Sequence, residues 1–118
     1  SDVYKRQGRD LERALAMAGR AIVLEENNPT YLDTYAWVLY RLGRYDEAKK
    51  TMQQALSLDR SQSPDLQLHY GDILAALGEK FMAEVYWKKA LEGGYDDPDA
   101  IVERFRRLKE AAQTPAAP

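Results

Sequence analysis

At 118 residues and 13.5 kDa the chain has room for about one domain, which excludes most multidomain enzymes. Apolar residues make up 45% and charged residues 31%, and 17 basic against 19 acidic side chains leave a formal charge of -2, which excludes a strongly basic polyanion binder. Cysteine is absent, excluding a disulfide framework, a thiolate metal site and a cysteine nucleophile; the single histidine, His69, excludes a multi-histidine zinc site. No uninterrupted apolar stretch approaches the roughly 20 residues of a membrane-spanning helix.

Residues 1–7 stand apart from the remainder of the chain. Back-translated with permitted codons, Asp2 to Gln7 reads GAT GTG TAT AAG AGA CAG, which resembles a transposase end sequence used to tag DNA for sequencing. The expectation is a non-native scar at 1–7 on a metagenomic fragment, with native sequence starting near Gly8 and continuing upstream. On that expectation residues 8–28 carry one helix, Asp10 to about Glu26, which is the second half of an incomplete repeat.

A repeat organises the sequence beyond it. The run Leu39-Tyr40-Arg41-Leu42-Gly43-Arg44-Tyr45-Asp46-Glu47-Ala48 aligns with Leu74-Ala75-Ala76-Leu77-Gly78-Glu79-Lys80-Phe81-Met82-Ala83 at a shift of 35 residues, and the same shift carries Ala36 onto Gly71, Met52 onto Trp87 and Ala55 onto Ala90. A shift of 34 carries Ala14 onto Ala48, Ala21 onto Ala55 and Leu24 onto Leu58. Within 29–62, Leu32, Tyr35, Ala36 and Leu39 recur at helical spacing, Gly43 stops that helix, and Ala48, Met52, Ala55 and Leu56 form a second stripe. Thr30 is the expected N-cap of the first of these helices. Residues 63–94 repeat the hairpin, with Ser63 before the first-turn Pro64. Residues 95–112 predict a capping helix with Ile101, Phe105 and Leu108 on one face, and the Pro/Ala-rich 113–118 predicts a disordered tail.

These residues resemble the tetratricopeptide repeat, a helix-turn-helix unit of roughly 34 residues. The small residue of the first helix corresponds to Ala36 and Gly71, the turn glycine to Gly43 and Gly78, the aromatic after it to Tyr45, and the second-helix alanines to Ala48, Ala55, Ala83 and Ala90. Leu32 and Gln67 stand where that family usually has tryptophan, Lys80 replaces the turn aromatic, and Arg60 takes a position where proline often ends a repeat. The resemblance implies an all-α, right-handed solenoid closed by a C-terminal capping helix, in a protein of bacterial type. It also implies a non-catalytic scaffold that binds a peptide or helix of a partner protein in a concave groove. The alternative is a substrate-positioning accessory domain of a larger enzyme or of a secretion or assembly machine.

No catalytic, cofactor or metal residues are expected. His69 has no nucleophile or second histidine to act with, and is read as a helix-surface residue. Asp96, Asp97 and Asp99 lack the glycine and terminal glutamate of a calcium loop and read as helix-capping acids. Gly93-Gly94 lacks the flanking strand and lysine of a phosphate loop. Arg104, Arg106, Arg107 and Lys109 suit the C-terminal end of a helix dipole, and without interleaved aromatics they do not point to nucleic acid.

The expected partner site lies on the helix from Thr30 to Leu42. With Leu32, Tyr35, Ala36 and Leu39 turned to the core, Asp33, Trp37, Tyr40 and Arg41 occupy another face. The resemblance places that face in the groove beside Leu68, His69 and Asp72 of the next repeat, where Ala75 and Ala76 leave room for a ligand side chain. Trp37 as groove residue and Trp37 as inter-repeat core both fit the pattern. The lysine, arginine and asparagine clamp of chaperone-binding relatives is replaced by Asp33, Trp37, Leu68 and Asp72, so a partner with basic and apolar anchors is expected. The bare apolar side of Asp10 to Glu26 adds an expectation of self-association through the N-terminal end. Compartment is left open.

Overall fold

The computed structural model describes residues 2–113, and all regular structure among them is helical. Six helices follow one another: α1 (Asp2–Leu24), α2 (Pro29–Arg41), α3 (Tyr45–Leu58), α4 (Pro64–Ala76), α5 (Lys80–Glu92) and α6 (Pro98–Gln113). The hairpins α2–α3 and α4–α5 stack side by side, flanked by α1 and α6, in an array of 46 × 42 × 23 Å.

Local chemistry sets the boundaries. Both hairpin turns need a backbone with positive φ, +79° at Gly43 and +80° at Gly78, which glycine adopts without a steric penalty. Beyond each glycine the chain closes onto the helix it has left: the Arg44 N–H donates to the Leu39 carbonyl and the Glu79 N–H to the Leu74 carbonyl, both at 2.9 Å. The N-cap of α2 is Asn28 rather than the expected Thr30, because Pro29 takes the first helical position. Asn28 Oδ1 accepts from the N–H groups of Thr30 (2.9 Å) and Tyr31 (3.2 Å). Ser63 holds the cap position of α4 without a side-chain bond. The turn is instead tied by Asp59, which accepts the Ser61 and Ser63 N–H groups at 3.0 and 2.7 Å.

At its start, α1 runs from Asp2, ahead of the expected Asp10. Lys5, Arg6, Gln7 and Arg9 are adequate helix formers around Gly8, and nothing in that stretch breaks the helix. Residues 2–7 are nonetheless exposed throughout. At the other end α6 includes Gln113, and residues 114–118 of the expected tail lie outside the described residues.

Apolar stripes meet along the seams between helices. Ala36, Ala48, Ala55, Ala83 and Ala90 have no exposed surface, which lets neighbouring backbones approach, and Leu39, Met52, Leu68, Ile73, Leu74 and Ile101 fill the space between them. One close approach replaces a methyl group altogether. A Cβ added at Gly71 would lie 2.4 Å from Trp87 Cδ1, so the large indole of α5 fits only because α4 has no side chain there. In the preceding repeat the same positions hold Ala36 and Met52, a larger residue facing a smaller one.

Candidate functional site

The candidate site is built by α2, α4 and α6. On α2, Asp33, Trp37 and Tyr40 follow at spacings of four and three, so their side chains line up along one face. His69 of α4 bridges to them. Its Nδ1 lies 2.7 Å from Asp33 Oδ1, and its ring stacks on Trp37 with centroids 4.5 Å apart. Because a carboxylate can only accept, that contact puts a proton on Nδ1. Trp37 in turn stacks on Tyr40 at 4.8 Å and 16°. Trp37 is therefore half-buried within an inter-repeat stack of rings and lies outside the buried core.

One repeat further on, Asp72 is 9% exposed and ties three helices together. It accepts from the Trp87 indole Nε1 at 2.9 Å, and Arg104 of α6 donates to both its oxygens, Nε at 2.7 Å and a terminal nitrogen at 2.9 Å. Arg104 also donates to the Ala100 carbonyl at 3.0 Å. Bidentate contact of this kind is strong and directional. It raises the affinity of the Arg104 guanidinium for its proton. Burial, and next the negative charge of Asp72, push the Tyr40 phenol above its usual range.

Between these residues lies a cavity of about 590 Å³, walled by Tyr40 of α2, by Asp72, Ala75 and Ala76 of α4, by Trp87, and by Arg104, Arg107, Leu108 and Ala111 of α6. Its apolar wall comes from alanines, Leu108 and aromatic rings. Its charges are matched internally: Arg104 answers Asp72, and Glu103 accepts from Arg106 and Arg107. Those two arginines pull the Glu103 carboxyl down to about 2.

The structure brings Asp33, Trp37, Tyr40 and His69 of the expected groove into one row of contacts, with the buried Asp72 beside Tyr40 in the cavity wall. The other two residues depart from the expectation. Leu68 is 2% exposed and belongs to the core, because α4 is buried nearly all round and its apolar positions are enclosed by α2, α3 and α5. Arg41 is exposed at the last turn of α2, away from the cavity wall. The expectation of a partner with basic anchors also changes, since Asp33 and Asp72 are already bound to His69 and Arg104. Arg104 reads from the sequence as a dipole partner, although the sequence holds a sharper signal. It falls between Ile101, Phe105 and Leu108 on the apolar stripe of its helix, and a cation in that position needs a buried carboxylate opposite. Among the described residues no group of three or more acidic or histidine side chains is gathered for a metal ion. No helix there is long and apolar enough to cross a membrane.

Comparison with known proteins agrees with the helical-repeat fold. A family model described as Tetratricopeptide repeat matches residues 29–61. The Yersinia enterocolitica type III secretion translocator chaperone SycD, in an alternative dimer, is similar to the chain at 18% identity, over 95% of this chain and 89% of that one, with a TM-score of 0.76. The first tetratricopeptide domain of Spaghetti (RPAP3), bound to the HSP90 peptide SRMEEVD, is similar at 19% identity, over 96% of this chain and 87% of that one, with a TM-score of 0.78. Residues 29–61 thus match a tetratricopeptide repeat, and the six helices share the fold of these helical-repeat domains.

Proposed function

We propose that this tetratricopeptide-repeat array is a non-catalytic protein-binding module that receives a segment of a partner protein along the α2–α4–α6 face. The observation that carries the reading is the 590 Å³ concave cavity, apolar on its alanine wall and rimmed by ion pairs that are already satisfied. Such a site gains little from a charged anchor and more from an apolar or aromatic side chain inserted beside Tyr40, Ala75 and Ala76. Trp37, Tyr40 and His69 then provide a preformed platform for the rest of the segment, held rigid by stacking and by the Asp33 contact.

The similar structures support binding in general. One is a chaperone of a secretion translocator and the other holds a peptide. The acidic peptide in the second is not the ligand expected here, because the cavity's cations Arg104 and Arg107 are already engaged by Asp72 and Glu103. The test is selection of displayed random dodecapeptides on the folded chain, followed by affinity measurement on Ala76→Trp. Ala76 is exposed and lines the cavity, so the indole fills the site without disturbing the core. Apolar-anchored peptides that bind the wild type and are lost on Ala76→Trp support the reading. Selection of no peptide, or binding indifferent to the substitution, refutes it.

A further inference from the structure

The same hollow occurs twice along the array, with different chemistry. The first, of about 280 Å³, is lined by Ile22 of α1, Leu32 of α2, and Thr51 and Gln54 of α3, together with Gly19 and Tyr35. Advancing Ile22 by 34 residues, and Leu32, Thr51 and Gln54 by 35, gives Leu56, Gln67, Tyr86 and Lys89. Those four line a second cavity of about 230 Å³, joined by Asp59 and Gln62 from the turn between α3 and α4. The repeat geometry thus makes the hollow in both places, and only the second is charged. It shares no residue with the larger cavity beside Tyr40.

Packing alone does not call for these polar residues. Leu32 fills the equivalent position at 2% exposure, so the fold accepts an apolar side chain there, whereas burying an amide without a hydrogen bond is costly. Gln67 is 9% exposed, and its amide has no hydrogen-bond partner among the described residues. No fully buried side-chain nitrogen or oxygen there is left unpaired, so both Gln67 amide atoms reach solvent, and the cavity is the opening that Gln67 lines. Lys89 Nζ lies 4.7 Å from the centre of the Tyr86 ring and pairs with no described carboxylate.

Asp59 brings the opposite charge to the same cavity without an ion pair to Lys89. Its Oδ1 accepts from the Ser61 N–H and hydroxyl, while Oδ2 takes the Ser63 N–H at 2.7 Å and keeps a lone pair. Burial would raise this carboxyl, but the Ser61 and Ser63 bonds outweigh it and hold the group below its usual range, so the negative charge is present at neutral pH. A cation and an anion that face one hollow without meeting are complementary to a ligand carrying both charges. The volume limits its size: at ~30 Å³ for each water the cavity holds about seven or eight, less than a drug-sized ligand needs.

We infer that this hollow binds a free α-amino acid, with its carboxylate on the Lys89 ammonium and the Gln67 amide N–H, its ammonium on Asp59, and its side chain against Leu56 and the Tyr86 ring.

The experiment titrates the full chain by calorimetry with each of the twenty common amino acids, and then with the N-acetyl and carboxamide forms of the tightest binder. Two variants copy the first hollow into the second: Gln67→Leu and Lys89→Gln. The expected result is saturable binding of one or a few amino acids, weakened at least tenfold by either cap and by Lys89→Gln, the effect of losing one charge-assisted hydrogen bond. Gln67→Leu should abolish binding with Tm unchanged or raised, because the residue serves the ligand and the fold accepts leucine at that position. Binding of no amino acid at concentrations up to about 10 mM overturns the inference. So do capped forms that bind as tightly as the parent, binding indifferent to Lys89→Gln, or a fall in Tm on Gln67→Leu, which would assign the glutamine to the fold.

Discussion

Arg104 grips Asp72 with two hydrogen bonds, 2.7 and 2.9 Å long, across the seam between the capping helix α6 and the inner helix α4. The same carboxylate accepts the Trp87 indole N–H, so one buried acid fixes the relative positions of α4, α5 and α6 and with them one wall of the concave cavity.

Breaking that grip from one side should cost more than removing both partners. Arg104→Met leaves a carboxylate 9% exposed without its cation, and the expected destabilisation is about 2 to 4 kcal/mol in urea unfolding. Adding Asp72→Asn to Arg104→Met should recover part of the loss, because the amide oxygen still accepts from Trp87 and no charge is left buried. A double variant less stable than Arg104→Met alone would show that the ion pair is not what holds α6.

Gly71 and Trp87 give a second coupled pair. Gly71→Ala should cost about 1 to 3 kcal/mol, the range for overpacking a tight contact, because its Cβ would lie 2.4 Å from the indole. Combined with Trp87→Met, which recreates the Ala36 and Met52 pairing of the previous repeat, the alanine should become nearly neutral relative to Trp87→Met alone. Additive costs in the double-mutant cycle would contradict the proposed size matching.

Removal of residues 1–7 should leave stability within about 0.5 kcal/mol, as expected for surface changes. The helix continues through Asp2 to Gln7, but those side chains are exposed and belong to no packed cluster. Thermal unfolding of the shortened chain checks this, and a clear drop in Tm would show that these turns support α1.

Alkaline titration should find three late-ionising tyrosines. Burial raises Tyr40, Tyr70 and Tyr95 above the ordinary value of about 10, with acidic neighbours adding to the shift at Tyr40 and Tyr95. A phenol with a raised folded pKa contributes stability that is complete below about pH 10 and is lost as pH rises through the folded value. Stability should therefore fall above that pH. In ultraviolet difference titration Tyr40→Phe should remove one late step. Loss of an early step instead would place Tyr40 in water.

Much of the fold is legible in the sequence because packing in a repeat array is itself periodic. Ala48, Ala55, Ala83 and Ala90 recur at fixed places, and every one is fully buried. The positions that resist reading depend on neighbours far along the chain. Asp72 looks like a groove acid until Arg104, 32 residues later, is seen beside it. Leu68 shares a helix with His69 yet enters the core, because α4 is enclosed on several sides and its hydropathy has no single apolar stripe. His69 reads as a surface residue, and its stacking on Trp37 depends on how two successive repeats twist against each other. The cavity wall supplied by α6 is hidden for a similar reason: its residues follow no repeat, so no alignment within the chain marks them.

The most direct test of partner binding on the concave face is amide and methyl chemical-shift mapping of the labelled chain with a peptide selected on it. Saturable shifts are expected at Tyr40, Ala75, Ala76, Leu108 and the Trp37 ring, with α3 and the outer face of α5 unchanged. Shifts confined to α3 and the outer face of α5, with those five residues unmoved, would contradict it.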